Sequence, residues 1–400
     1  MKTKVAIACQ GGGSQTAFTA GALMAILKDP DFDEEYELVG LSGTSGGALC
    51  GLLTWYGLLA HPRDQADRGA RTADLLKAFW EANSAHEWWD LLFVNPFLVG
   101  IHRLQDAGWI GQFPPAGLAP PGMPQLVRQR LQRLIERQVP FDAIPALLKR
   151  YPDHPTLLVG AVDVLSGEFA VFQEACPDPD WRRGPDSPVP PTVSIEPALA
   201  SAAIPPMMRA VPIGAGQYWD GLYAHNPPIR DLVAPEPDRR PDEIWVIQID
   251  PQGVRLEPTG LGAVVDRRFE LASNLSLNAE IHWIKQINQW IDEGTLGEGF
   301  KMIKVGRIRM GDPLGGSLDL ASKIDRDPRH LKALMADGER QAAAFLHDRA
   351  DPAAAVWDPL YPRRYQPRAL AHTGAGRSSV NQGSKRRSTP SRRRVEPKSG

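Results

Sequence analysis

Cysteine is nearly absent from this chain: Cys9, Cys50 and Cys176 are the three in 400 residues, each in an apolar context and none at a metal-ligand spacing. So small and odd a set excludes a disulfide framework and a zinc-type cluster, and fits reduced core residues of a cytosolic protein. No apolar run is long enough to cross a bilayer. The richest stretch, Trp88 to Ile101, is interrupted by Asp90, Asn95 and Pro96, and reads as core of an insertion or as a lid or interfacial patch. No signal peptide is expected either, since Met1-Lys2 runs straight into an apolar strand and a polar glycine loop; a cytoplasmic location is expected, with peripheral membrane contact left open. No segment repeats, and neither charge sign dominates, the net charge being −2.

What is present is ordinary globular material, 42% hydrophobic and 23% charged. The stretch 374–400 departs from it, with eight Lys and Arg against Glu396, a local +7. It is predicted to be disordered, and such a tail can contact anionic lipid or nucleic acid, or simply aid solubility.

Three local patterns carry chemistry. Tyr36 to Ser42 is a buried-strand pattern, and Ala48 to Trp55 an apolar helix pattern; between them stands Gly43-Thr44-Ser45-Gly46-Gly47. A serine in so sharp a strand-to-helix turn is held exposed and strained, and glycines two places either side remove the side chains that would collide there. Ser45 is therefore a candidate nucleophile, with Gly43 and Gly47 as elbow glycines. Upstream, the strand Lys4 to Cys9 enters Gly11-Gly12-Gly13 and then a helix over Ala17 to Leu27. Preset backbone amides of this kind bind an anionic oxygen, and one is worth about 3 kcal/mol of barrier. A dinucleotide loop would need glycine where Thr16 stands, and a P-loop would need a lysine after the glycines. The third pattern, Asp220-Gly221, reads alone as a turn.

Taken together and in this order, the segments resemble the patatin-like phospholipases, serine acyl hydrolases with a Ser-Asp dyad. Gly11-Gly12-Gly13 is similar to their oxyanion loop, Gly43 to Gly47 to their elbow, Ala200 to Pro206 to their small-residue and proline block, and Asp220-Gly221 to their acidic motif. Glu270 to Asn278 looks like a segment of some bacterial members. The resemblance implies Ser45 as nucleophile, Asp220 as general base, the Gly11–Gly13 loop as oxyanion hole, lipid or other fatty-acyl esters as substrate, and neither cofactor nor metal. Two positions depart from the family pattern: Gln15 where Arg or Lys is usual, and Leu222 where Gly or Ala is usual.

The predicted fold is α/β, a three-layer α/β/α sandwich. Strands are expected near Val5, Val39, Leu157 to Val164, Phe169 to Phe172, Ile244 to Ile249 and Met302 to Ile308, with a mainly helical insertion over 60–150. A hydrolase domain would occupy 1–310, a helical and proline-rich extension 311–373, and the basic tail 374–400. The competing readings are an acyltransferase or thioesterase of the same family, a silent lipid-binding member, and an α/β-hydrolase with a Ser-His-Asp triad drawing on His225 or His282.

Overall fold

The computed structural model describes residues 2–61, 65, 67–85, 100, 122–181, 189, 190, 192–205, 207–233, 239–297, 299–316, 318, 319 and 321–362. The aromatic stretch from Trp88 to Ile101, apart from Gly100, lies outside these residues, as do Pro206 and the basic stretch 374–400.

The strands are β1 Thr3–Cys9, β2 Tyr36–Thr44, β3 Thr156–Asp163, β4 Phe169–Gln173, β5 Val211–Ile213, β6 Gly216–Asp220, β7 Glu243–Gln248 and β8 Lys304–Arg309. They form one sheet whose hydrogen-bonded neighbours follow the series β5-β6-β3-β2-β1-β7-β8, with β4 also paired to β3. The pairings from β3 to β8 are parallel, and the β3–β4, β3–β6 and β5–β6 pairings are antiparallel. All six strands read from the sequence are present. The two short ones, β5 and β6, are additions that periodicity did not reveal.

The main helices are α1 Ala17–Lys28, α2 Gly46–Ala60, α3 Arg68–Asn83, α4 Met123–Gln138, α5 Ile144–Arg150, α6 Glu196–Ser201, α7 Leu261–Asp292 and α8 Pro328–Asp348. β1 shows why they lie on both sides of the sheet. Its Val5, Ile7 and Cys9 join a core with Phe18 and Leu23 of α1, Leu52 and Trp55 of α2, and Leu334 and Phe345 of α8. Its Ala6 and Ala8 point the other way, into a second core with Leu277, Ile281 and Ile284 of α7. A strand buried on both faces reads as continuously apolar, as central parallel strands do. The architecture is the three-layer α/β/α sandwich of the prediction, with α7 covering the second face. No described helix is long and apolar enough to cross a membrane.

One feature of the register positions the site. On β3, Leu158 to Gly160 pair with both β2 and β4, so those two strands occupy opposite edges. Ala161 and Val162 pair with both β4 and β6, which puts β6 on the same edge as β2. The last residue of β2, Thr44, lies opposite Gly160, and the last residue of β6, Asp220, lies opposite Ala161. The two strands therefore run toward each other and stop at adjacent positions.

Residues 311–362 belong to the same compact unit as the sheet. Helix α8 crosses α1 at nearly backbone contact: a Cβ on Gly338 would stand 2.1 Å from the Phe18 carbonyl oxygen, and one on Gly21 would stand 2.0 Å from that of Met335. Gly338→Ala must push these helices apart, and is expected to cost about 2 kcal/mol or more of stability. Gly253→Ala, where a Cβ would meet nothing within 4 Å, should change stability by less than about 0.5 kcal/mol. Equal denaturation midpoints for the two variants would refute the close crossing.

Candidate active site

Ser45 sits between β2 and α2 with φ 56 and ψ −132, a left-handed conformation that a non-glycine residue holds only under restraint. The restraint is visible. The Ser45 amide donates to Ser201 Oγ at 2.9 Å, and the Ser201 hydroxyl donates to the Gly160 carbonyl at 2.6 Å. Thr44 Oγ1 donates to the His225 carbonyl at 2.7 Å. The elbow glycines are sterically required, since a Cβ on Gly47 would lie 2.3 Å from the Cys9 carbonyl oxygen and one on Gly43 2.6 Å from the Ala48 nitrogen. The first turn of α2 carries no acidic side chain, so the positive end of its dipole acts on the Ser45 region unopposed.

The glycine loop lies directly against this turn. A Cβ on Gly11 would stand 2.8 Å from Cβ of Ser45. The Gly11 amide is committed elsewhere, donating to Asn226 Oδ1 at 2.6 Å. Among the described residues the Gly12 and Gly13 amides have no such partner, and Gly13 takes φ 57. A methyl on Gly12 would meet Ile249 Cγ2 at 2.6 Å, so even alanine there must displace the loop or Ile249.

Asp220 ends β6 fully buried. Burial pushes its carboxyl up to about 7, against smaller opposing contributions from the Leu222 amide, the Ser45 hydroxyl and the Lys323 charge. The Leu222 amide donates to Oδ1 at 2.9 Å. Oδ2 is enclosed without a partner of good hydrogen-bond geometry among the described residues, so Ser45 approaches the carboxylate without a fully formed bond. Leu222, a departure from the family pattern, serves here through its main chain. Gly221 is needed for close approach, since a Cβ would stand 2.6 Å from the Gly160 carbonyl oxygen.

Behind these groups runs a buried polar network that sequence motifs did not reveal. Asn226 Nδ2 donates to Ser273 Oγ at 2.7 Å; Gln10 Nε2 reaches Ser273 Oγ at 3.3 Å and Asn274 Oδ1 at 3.0 Å. Gln10 Oε1 accepts the amides of Ile249 and Asp250 at 2.8 and 2.9 Å. Ser273 and Asn274 lie in the Glu270 to Asn278 segment noted in the sequence, and they tie α7 to the glycine loop. Gln15 is likewise buried, its Nε2 donating to Ser322 Oγ at 2.8 Å and to the Asp319 carbonyl at 3.1 Å.

The histidines of the alternative triad are placed otherwise. His225 stacks on Phe169 with ring centroids 3.9 Å apart, and its Nδ1 hydrogen-bonds Glu280. His282 is exposed on α7, whereas Ser45 is 5% exposed. All three cysteines are free and buried, and burial raises the Cys50 thiol to about 12. No group of three or more acidic, histidine or cysteine side chains suited to a metal occurs among the described residues.

A family model, that of the patatin-like phospholipases, matches residues 7–233. The chain belongs to this family. The match takes in the glycine loop, the elbow and Asp220, and ends before α7, Asp319 and Ser322. Among solved structures, a patatin-like phospholipase chain such as this one is similar to VipD from Legionella pneumophila, at 13% identity over 86% of this chain and 67% of that one, with a TM-score of 0.36. It is also similar to human GIVD cytosolic phospholipase A2 in complex with methyl gamma-linolenyl fluorophosphonate, at 19% identity over 43% of this chain and 23% of that one, with a TM-score of 0.26. No curated protein matches the chain.

The buried carboxyl makes a thermodynamic prediction independent of catalysis. A folded-state value near 7 lies above the unfolded carboxylate range, so the native state binds the extra proton. The stabilisation this brings is full below about pH 4 and is lost as pH rises through about 7. Asp220→Asn removes the charge that must be buried at high pH, and should raise the melting temperature at pH 8.5 relative to wild type by more than it does at pH 5. The gain is bounded by roughly 4 kcal/mol. Equal differences at the two pH values would show that Asp220 has an ordinary pKa.

Proposed function

We propose that this protein is a serine acyl hydrolase cleaving fatty-acyl esters of phospholipids or related lipids through Ser45 and Asp220. Membership of the patatin-like phospholipase family supports a lipid hydrolase. The observation that carries the finer reading is the buried carboxyl beside Ser45, raised to about 7. An alcohol needs a base, and a carboxylate of ordinary acidity is a weak one; burial supplies the missing basicity at neutral pH.

In the proposed reaction the Ser45 hydroxyl attacks the ester carbonyl while its proton passes to Asp220. The carbonyl oxygen becomes an oxyanion facing the Gly12 and Gly13 amides and the α2 N-terminus; Gly11 contributes by positioning, because its amide serves Asn226. Collapse breaks the ester C–O bond, and the leaving alcohol takes the proton from Asp220. Water then attacks the acyl-enzyme, giving its proton to Asp220, which returns it to Ser45 as the fatty acid departs. No step requires a histidine or a metal.

Ser45→Ala and Asp220→Asn should each lower kcat on a soluble short-chain ester by about 1,000-fold or more, while His225→Ala and His282→Ala retain turnover in folded protein. A fluorophosphonate probe should label Ser45, read by peptide mass spectrometry; labelling at another serine would overturn the assignment. Because Asp220 must be ionised to accept a proton, kcat/KM should fall about tenfold per pH unit below a midpoint near 7. A flat profile between pH 5 and 8 would exclude Asp220 as the base.

A further inference from the structure

Helix α7 has a second apolar face. Leu277, Ile281 and Ile284 lie against the sheet, and on the opposite side of the helix, at spacings of three, four, three and four, stand Leu261, Val264, Arg268, Leu271 and Leu275. All five are exposed, Leu261, Leu271 and Leu275 to 55%, 51% and 71%. Trp283, two turns further on, is 59% exposed, with the ring of Trp290 6.3 Å away between centroids. Single exposed apolar residues are ordinary, but a row of them about 21 Å long on one helix face marks an interaction surface. Charge on the helix is sorted to match. Asp266 and Glu270 line a small cavity with Gln15 and Lys323, and Glu280 Oε2 accepts the Ile229 and Arg230 amides at 2.6 and 3.1 Å, so these carboxylates turn toward the protein. The outward row from Leu261 to Leu275 keeps one charge, the cation of Arg268. The row also starts at the catalytic end of the sheet. Cys9 is level with both Gly43 and Ile247 on parallel strands, so the glycine loop, the elbow and the 249–260 connection to α7 leave the sheet together. Val254 and Leu256 on that connection are exposed, as is Tyr223 in the turn after Asp220, against which α7 packs.

We propose that this outward face of α7 docks on a phospholipid bilayer, with the helix lying in the plane of the interface. Leu261, Leu271, Leu275 and Trp283 enter the acyl region, and Arg268 reaches back along its own stem to a lipid phosphate. The choice of partner rests on the lipid-ester reading above. The contact is peripheral, since no described helix is long and apolar enough to cross a membrane. A second copy of the chain fits less well. Arg268 is the midpoint of the row, so pairing two rows about a two-fold axis sets it against its twin, whereas a lipid phosphate neutralises it. Docking brings lipid ester to the end of the sheet that holds Ser45, and leaves the chemistry there unaltered.

The test uses the full chain and vesicles of phosphatidylcholine, whose zero net charge gives the basic stretch 374–400 little to attract. Leu271→Ser combined with Leu275→Ser should weaken co-sedimentation with the vesicles about tenfold or more, and lower fatty-acid release from them in proportion. The same variant should keep the wild-type melting temperature and the wild-type kcat/KM on a soluble short-chain ester. Arg268→Glu should weaken vesicle binding about threefold or more, and Arg268→Lys should restore it. Wild-type vesicle binding by the double serine variant overturns the proposal, as does failure of the unmodified protein to bind these vesicles. An equal loss on the soluble ester overturns it too, by placing Leu271 and Leu275 in the support of the active site. A dimer of the unmodified protein that the double variant dissociates would make a second copy the occupant. Ser45→Ala separates the two readings: turnover retained there would sink the dyad, while turnover lost there beside undiminished vesicle binding by the double serine variant would sink the docking face alone.

Discussion

Gly160 and Ala161 follow one another on β3, and they pair respectively with Thr44 and Asp220. This pairing brings together two residues that stand far apart in the chain. β2 and β6 share one edge of β3 and stop head to head, so the serine after one and the carboxylate ending the other occupy neighbouring ground. Gly160 also supplies the carbonyl that fixes Ser201, and Ser201 fixes the Ser45 amide. A strand register is a discrete quantity, and a slip of one residue would turn Asp220 to the opposite face of the sheet. The site is thus as precise as the sheet's hydrogen-bond ladder.

Burying a carboxylate at such a junction is costly, and its surroundings determine how basic it becomes. Several firm hydrogen bonds to both of its oxygens would lower its pKa to ordinary values and leave it a poor base. A wholly apolar pocket would keep it protonated at neutral pH. Asp220 lies between these extremes, with one firm amide bond, one looser approach from Ser45 and one cation acting more weakly. The strained Ser45 backbone belongs to the same balance, because the left-handed φ is held by bonds from Ser201 and by glycines on either side rather than by any local preference.

Much of this was legible in the sequence, for a local reason. The elbow, the glycine loop and their flanking strands are encoded within a few residues of each other, where sterics dictate glycine and where burial on both faces dictates apolar runs. β6 escaped notice because Gln217 to Asp220 is short and ends in Asp-Gly, which reads as a turn; its strand character comes from pairing with β3. The commitment of the Gly11 amide to Asn226 was invisible for a similar reason, since the partners are 215 positions apart. Gln15 and Leu222 stood out only as departures. The first proves to be a buried donor to Ser322 Oγ and the Asp319 carbonyl, and the second acts through a backbone amide that almost any residue would supply.

Helix α7 was the largest omission, and its residues explain why. Beyond Gly262 in its first turn, its buried residues are Ser273 and Asn274, then Leu277, Ile281 and Ile284, then Asn288. The spacing is helical, but only the middle three are apolar, so a hydrophobic-periodicity reading finds too short a stripe to announce a 32-residue helix. Each part of the stripe meets what lies beneath it. The aliphatic centre covers Ala6 and Ala8 of β1, where small side chains let the helix approach the sheet. Asn288 closes the far end by bonding both the amide and the carbonyl of Ile303, at 3.0 and 2.9 Å. Ser273 and Asn274 lie over Gln10 and Asn226, whose amide groups would otherwise be buried unpaired at a cost of about 1–3 kcal/mol each. One helix therefore fills the second face of the core and satisfies the polar groups that hold the glycine loop, so the loop's geometry is coupled to the packing of the whole layer.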